Sequence, residues 1–556
     1  MTMGTLDRPL TDIPDYAAVH DGFDLAAVER AILGDDPVIN AAWLCCDRYC
    51  GSGALALICV AADGTATHYT FEELRDLSQR FAGALRAQGV GVGETVAALM
   101  PRTIELVVTA LATWRLGALY QPLFTAFGPK AIEQRVRESG AKVIVTDAEN
   151  RPKLDEVDCA AKIVTVGADS LPSGDLAFAA ELAAATPVTE PEILTGDDPF
   201  QILFTSGTTG APKPVVVPLR AIVPFATYVR DAIGLNAQDR FWNIADPGWG
   251  YGLYYAIVGP LALGHPTLLY DAPFTVEGTV RVIEQFGITN LAGSPTAFRR
   301  VIAEGPAAVA PIKGQLRAVS SAGEPLNPEV IRWFAEHLGT TIHDHYGQTE
   351  LGMVLCNHHA LTHPVIEGAA GVSPPGIRMA VIDDAGSELP AGRPGHLALD
   401  RTRSPLFWFT GYRGLPTPSL GERWYNTGDT AELNPGGSIS FVGRDDDVIT
   451  SSGYRIGPFD VESALLEHAA VVEAAVVGKP DPQRTEIVKA FVILQADVAG
   501  TPELAEGLRV HVRRRLAAHA YPREIEFVET LPKTPSGKIQ RFILRNAEIA
   551  KAAAET

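Results

Sequence analysis

A chain of 556 residues is too long for one hydrophobic core, and at ~150 residues per domain it should divide into about three or four compact units. Its 46% hydrophobic and 20% charged residues are those of a folded soluble protein, which excludes a disordered or fibrous chain. A formal net charge of −20 excludes a broad nucleic-acid footprint, which needs clustered Lys and Arg, but allows small anions to be held by local loops.

Residues 1–24 carry acidic side chains and prolines where an export signal needs a basic start and an apolar run. The longest apolar stretches, such as 54–62, fall short of the ~20 residues of a bilayer-crossing helix, so a cytoplasmic protein without a membrane span is expected. Cys45, Cys46 and Cys50 lack a paired zinc spacing and read as buried or idle thiols. Thr70 and Glu73 form a capping box ahead of Phe71, Leu74, Leu77, Phe81 and Leu85 at helical spacing, with Gly89 as the stop. Strands around 96–100, 118–122 and 143–146 then alternate with helices across 104–116 and after Pro129, a rhythm that implies parallel sheet covered by helices.

Residues 204–213 place Thr205, Ser206, Gly207, Thr208, Thr209, Gly210 and Lys213 in one loop. The two glycines can take positive φ, so that backbone amides converge on an anion while hydroxyls donate and Lys213 adds charge. The spacing is not Walker A, and taken alone the segment also reads as a flexible connector. The α/β rhythm returns with a helix near 280–286 and strands at 288–292, 316–320 and 341–345. His343 and His345 would share a strand face, with His358 and His359 following, but in no standard metal-ligand spacing.

From about Gly395 short β segments (396–399, 439–442) suggest a small barrel or sheet, and a boundary follows at 443–447. Beyond it, helices at 461–468 and 504–516 and strands at 471–477, 487–494 and 524–528 make a separate α+β unit of about 110 residues. The fold class is therefore α/β. Residues 1–445 form a large N-terminal region of several subdomains with parallel sheets and a small β barrel, and 446–556 form a smaller mobile α+β domain. Its exposed loop, 533–538, is built to reach back to the larger body.

In chain order after the phosphate loop stand Tyr346-Gly-Gln-Thr-Glu350, Tyr425-Asn-Thr-Gly-Asp429, Gly443-Arg-Asp-Asp-Asp447, Ser452-Gly-Tyr-Arg455 and Pro532-Lys-Thr-Pro-Ser-Gly-Lys538. From about Phe71 onward this set resembles the AMP-forming acyl-CoA synthetases of the adenylate-forming superfamily. Asp246-Pro-Gly-Trp-Gly-Tyr251 is most similar to the acetyl-CoA synthetase and medium-chain branches.

The resemblance implies a two-step reaction using ATP, magnesium and coenzyme A. A small carboxylic acid attacks the α-phosphate to give acyl-AMP and pyrophosphate, and the thiol of coenzyme A then displaces AMP. It implies catalytic roles for Lys538, which bridges the carboxylate and α-phosphate, for Glu350, which holds magnesium, and for Thr205. Thr205 to Gly210 and Lys213 would hold pyrophosphate, and Asp429 would accept from both ribose hydroxyls. Gly323, Glu324, Pro325, His345, Tyr346, Gly347, Gln348 and Thr349 would line the nucleotide, with Arg444 and Arg455 on phosphate or ribose. Asp446 would be the hinge about which the C-terminal domain turns. Ser452, Gly453 and Tyr454 would then receive pantetheine, and Arg151 and Lys153 are candidates for coenzyme A's phosphates, set against a merely solvated role.

Trp249, Gly250, Tyr251 and Gly347 would border the acyl group. Gly347 stands where the acetyl-specific branch carries tryptophan, which implies an open floor and an acid larger than acetate: short-branched, medium-chain or aryl. Pro214 and Pro218 depart from the family pattern and should stiffen the segment after the loop. Lys538 is also a candidate for regulation by a lysine acetyltransferase and deacetylase. Two rival readings are an enzyme that loads a carrier protein's phosphopantetheine and a catalytically silent nucleotide-binding protein.

Overall fold

The computed structural model describes the chain except residues 1–12, 36–38, 168–169, 206–211, 452–453, 482, 517–519, 535–537 and 556, and the side chains of 454–455 and 553–555. Two α/β sheets form the body. In the first, the strands run Leu176–Ala177, Lys162–Val166, Ala141–Asp147, Thr95–Leu99, Leu119–Pro122, Pro199–Phe204 and Pro214–Pro218 from edge to edge. All its pairings are parallel except the last, a hairpin whose connection is the phosphate loop. Pro214 and Pro218 lie at the two ends of that edge strand, where a missing N–H costs the sheet no ladder bond.

The second sheet has eight strands. Gly352–Cys356, Ile342–Gln348, Ala318–Ala322, Asn290–Gly293, Phe241–Asn243, Thr267–Asp271, Leu55–Ala61 and Ala66–Thr70 follow from edge to edge, antiparallel only at the two outer pairs. Both parallel sheets are buried on two faces, so strands such as Thr95–Leu99 are continuously buried rather than alternating.

The helix over Phe71–Ala87 carries its full capping box. The Glu73 amide donates to Thr70 Oγ1 at 3.2 Å, and the Thr70 amide donates to Glu73 Oε2 at 2.8 Å. Its buried stripe is Phe71, Leu74, Phe81 and Leu85. The helix before the strand at Asn290 begins at Val276, earlier than the apolar pattern indicates, because the Thr275 side chain caps it by accepting from the Gly278 amide.

The short β segments form a four-stranded antiparallel sheet, Met379–Ile382, Pro394–Asp400, Trp424–Leu433 and Ile439–Arg444. Beyond Arg444 the strand Ile449–Ser451 joins a different sheet, built mainly on Val471–Asp481 paired with Thr485–Leu494. Within this C-terminal unit Arg541 forks onto Glu462 at 2.7 and 2.9 Å, and Glu462 also accepts the Val476 amide at 2.8 Å. Arg545 reaches the Asp446 carbonyl and the Asp447 carboxylate, so the last helix grips the joint between the two units. The Asn327 amide donates to Ser463 Oγ at 2.8 Å across the cleft.

A histidine cluster backs the strand Ile342–Gln348. The His343 and His359 rings stack at 3.8 Å, and His358 packs edge-on to His363. Three of the rings are held by backbone carbonyls, while neither ring nitrogen of buried His358 has a hydrogen-bond partner among the described residues. His343 Nδ1 and His345 Nε2 lie 2.8 and 3.0 Å from the Asn357 carbonyl, and His359 Nε2 lies 3.1 Å from that of Val319. Burial pushes His343 down to about 4 and His345 and His358 down to about 3, so the cluster is neutral.

Candidate active site

The site residues gather at the carboxyl ends of the parallel strands, where open α/β sheets bind ligands. Thr205 follows Phe204, Gly323 follows Ala322, and Trp249 follows the strand Phe241–Asn243. A cavity of about 140 Å³ opens there. Its walls include Phe124, Arg135, Trp249, Tyr251, Tyr255 and Lys538, together with Gly347 and Gln348.

Behind Gln348 in its wall, Asp429 accepts from the Tyr346 hydroxyl and from Gln348 Nε2 at 3.0 Å, and Arg444 Nη1 stands 3.5 Å away. Asp429 and Arg444 are direct partners across the sheet, which fixes that approach. Burial pushes Asp429 up to about 6, with Arg444, Tyr346 and Gln348 pulling it back. If Asp429 receives both ribose hydroxyls, as the motif implies, only its ionised form is acceptor alone. Adenosine, which has no titrating phosphate, should therefore bind evenly above about pH 7 and lose about tenfold in affinity per pH unit below about pH 6. Calorimetry across pH checks this, with Asp429→Asn expected to be flat.

Glu350 is buried, and Tyr412 donates to its Oε1 at 2.7 Å. Burial raises its pKa, while Lys213 and Arg444 pull it down. Lys213 Nζ lies 4.9 Å from the centre of the Tyr412 ring, and the Thr205 amide donates to the Lys213 carbonyl at 3.1 Å, closing the base of the loop. A magnesium ion takes one or two carboxylates and completes its shell with phosphate oxygens and water, a donor set that Glu350 beside the loop fits. Among the described residues no three His, Cys, Asp or Glu side chains form a metal cage. Such an ion supplies neutralisation of phosphate charge.

Lys538 comes from the C-terminal unit and lines the cavity, its ammonium 5.9 Å from the centre of the Trp249 ring. Burial lowers its pKa, and Glu324, Asp429 and Glu350 pull it back towards the charged form. Thr534 holds the Lys538 backbone: the Thr534 amide donates to its carbonyl at 2.8 Å and Thr534 Oγ1 accepts its amide at 3.0 Å.

Several expectations need correction. The His345 ring is not a nucleotide contact: Nδ1 meets the Tyr228 hydroxyl at 2.7 Å and Nε2 the Asn357 carbonyl, on the opposite strand face from Tyr346. The Glu324 carboxylate is engaged by Arg299 and Thr296, each at 2.7 Å, and it is Gly323 that lines the cavity. Arg151 is held by Asp175 and Asp155, at 3.1 and 2.7 Å, and Lys153 by Asn150 at 2.7 Å and the Thr125 carbonyl. The charge of Arg151 is matched by two carboxylates, whereas Lys153 meets only neutral oxygens and keeps its charge. Gly347 borders the cavity, but a Cβ there would lie 2.1 Å from the Gly352 carbonyl oxygen, so its missing side chain serves a close backbone approach and not an open floor.

Ser206, Gly207, Thr208, Thr209, Gly210, Ser452 and Gly453 lie outside the described residues, as do the side chains of Tyr454 and Arg455. Thr349 lines the cavity, its carbonyl accepting from the Tyr254 hydroxyl at 3.2 Å, while Pro325 is not among the lining residues. The sequence reading missed Tyr412, Tyr254, Tyr255 and Arg135. Tyr254 and Tyr255 follow Tyr251 at helical spacing, a usable signal; Tyr412 and Arg135 had none.

The AMP-binding enzyme model matches residues 46–412, and the AMP-binding enzyme C-terminal domain model matches 460–538. The chain belongs to the AMP-binding enzyme family. This AMP-binding enzyme is 38% identical over 493 residues to the acetyl-coenzyme A synthetase of Bacillus subtilis, covering 86% of this chain and 85% of that one. It is 59% identical to an acyl-CoA synthetase from Brucella canis of solved structure, with a TM-score of 0.79 over 97% of this chain and 100% of the other. An anthranilate CoA ligase solved in complex with anthranoyl-AMP superposes with a TM-score of 0.85 at 26% identity, over 94% and 99% of the two chains. Among the described residues no helix is long and apolar enough to cross a membrane.

Proposed function

We propose that the protein is an ATP-dependent acyl-CoA synthetase. It converts a short- to medium-chain, branched or aryl carboxylic acid to acyl-CoA through acyl-AMP, releasing AMP and pyrophosphate. The observation that carries this reading is that Lys538 enters a cavity with an aromatic end at Trp249 and Tyr251, and that Gln348, which also lines it, donates to Asp429 just behind its wall.

Adenylation joins two anions, so catalysis is mostly positioning and charge neutralisation. In this reading Asp429 fixes the ribose, Lys213 and the loop amides take pyrophosphate, and the Lys538 ammonium neutralises carboxylate and α-phosphate together. Asp446, at the joint held by Arg545, serves as the hinge that then brings the Gly453 segment in for pantetheine. Magnesium at Glu350, a cytoplasmic location and acetylation of Lys538 belong to the same proposal. Since Lys538 points into the cavity, a modifying enzyme would meet it only with the lid turned out.

The test is pyrophosphate release with ATP and a panel of carboxylic acids, followed by consumption of free coenzyme A. Release with at least one acid and formation of its thioester are expected. No release with any acid, where the Bacillus subtilis relative succeeds with acetate, would overturn the proposal, and an adenylate inert to free coenzyme A would point instead to a carrier protein.

A further inference from the structure

A second cavity, of about 240 Å³, lies beyond the aromatic end of the first. Its walls are largely apolar, among them Phe23, Ala27, Val28 and Pro374, and Tyr228 also lines it. It opens to solvent along exposed Gly22, Ala27 and Ala31, with Arg230, Asp231 and His358 also in its lining, and its volume exceeds the ~150 Å³ that holds a benzene molecule, room for a ring or several methylenes.

Tyr228 is what separates the two spaces. Its hydroxyl lies 3.3 Å from that of Tyr251, and its ring packs 4.4 Å from the ring of Tyr255; both neighbours line the first cavity. A directed chain of hydrogen bonds holds it in place. His345 Nε2 faces a carbonyl and so carries the proton, which leaves Nδ1 as the acceptor. Tyr228 therefore donates to His345 Nδ1, and Tyr251 donates to Tyr228. Tyr228 opens a π-helical turn, Tyr228–Ala232, a wide turn often found at functional positions.

We propose that Tyr228 is a specificity-determining residue, a hydrogen-bonded partition that closes the acyl pocket against the second cavity and thereby limits the length of acid accepted. This rests on reading the Tyr251 end of the first cavity as the acyl pocket. The wild-type protein takes acids that stop at the tyrosine wall, and the occupant admitted when the wall is removed is the apolar tail of a longer acid.

The test is kcat/KM for pyrophosphate release with straight-chain acids of two to twelve carbons. Tyr228→Ala should move the optimum to longer acids, with the long-to-short ratio rising at least about tenfold, the discrimination of roughly one buried methylene. The KM for ATP should not move. Adding Ala27→Phe, which narrows the second cavity from its exposed rim, should lower the ratio back towards the wild-type value, whereas Ala27→Phe alone should leave the wild-type profile as it was. A folded Tyr228→Ala protein with an unchanged length profile overturns the proposal. Should that variant not fold, Tyr228→Phe, which removes only the hydroxyl, is expected to shift the profile in the same direction, and no shift in it is equally fatal. Failure of the wild-type protein to release pyrophosphate with any acid would instead strike the proposed activity.

Discussion

Lys538→Ala should slow acyl-adenylate formation by about 10²–10³-fold while preformed acyl-AMP still reacts with coenzyme A at close to the wild-type rate. The reason is geometric. Lys538 reaches the cavity only because the C-terminal unit is packed over it, through contacts such as Asn327 to Ser463. In the proposed exchange of faces the thioester step uses a different face of that unit, and Lys538 then has no task in it. A single-turnover burst of pyrophosphate measures the first step, and synthetic acyl-AMP with coenzyme A measures the second. Equal losses in both would refute the exchange of faces.

Gly347→Trp should abolish activity with every acid and lower the melting temperature, rather than turn the protein into an acetate enzyme. The strand Ile342–Gln348 slips register between Tyr346 and Gly347 where it pairs with Gly352–Cys356. A Cβ at 347 would meet the Gly352 carbonyl oxygen at 2.1 Å and its carbonyl carbon and Met353 Cα at 2.8 Å, all backbone atoms that no rotamer change can move aside. Gly352, at φ +67°, is itself hemmed in by the Tyr255 hydroxyl. Overpacking of this kind costs about 3 kcal/mol or more, or roughly 6–12 °C in melting temperature. Gly347→Ala should show most of the same loss. Thermal unfolding and the acid panel together decide the matter: a well-folded Gly347→Trp protein that prefers acetate would restore residue 347 as the pocket floor.

Elements whose determinants are local were legible in the sequence. The capping box at Thr70, the burial stripe after Phe71 and the alternation of strands with helices depend on neighbours a few residues apart, and each is present. The ordered motifs likewise led to Asp429, Glu350 and Lys538, which the fold gathers about one cleft. What was not legible depends on partners far along the chain. Arg151 looked available until Asp175 closed on it across an adjacent strand. His345 lies next to Tyr346 in sequence but on the other strand face, where Tyr228 takes its nitrogen. Gly347 showed the largest gap, because an absent side chain reads the same in a sequence whether it leaves space or is required by a neighbouring backbone.

The largely buried imidazoles behind the strand Ile342–Gln348 set a limit on the acidity the molecule withstands. Once unfolded, His343, His345 and His358 take up protons near pH 6.5, but in the native core they refuse them until about pH 4 or 3. Over that interval each proton binds only the unfolded chain, so stability is intact above pH 6.5 and drains away as the medium sours. Acid should therefore undo the protein from its interior, before the surface carboxylates, which titrate near pH 4, have lost their charge.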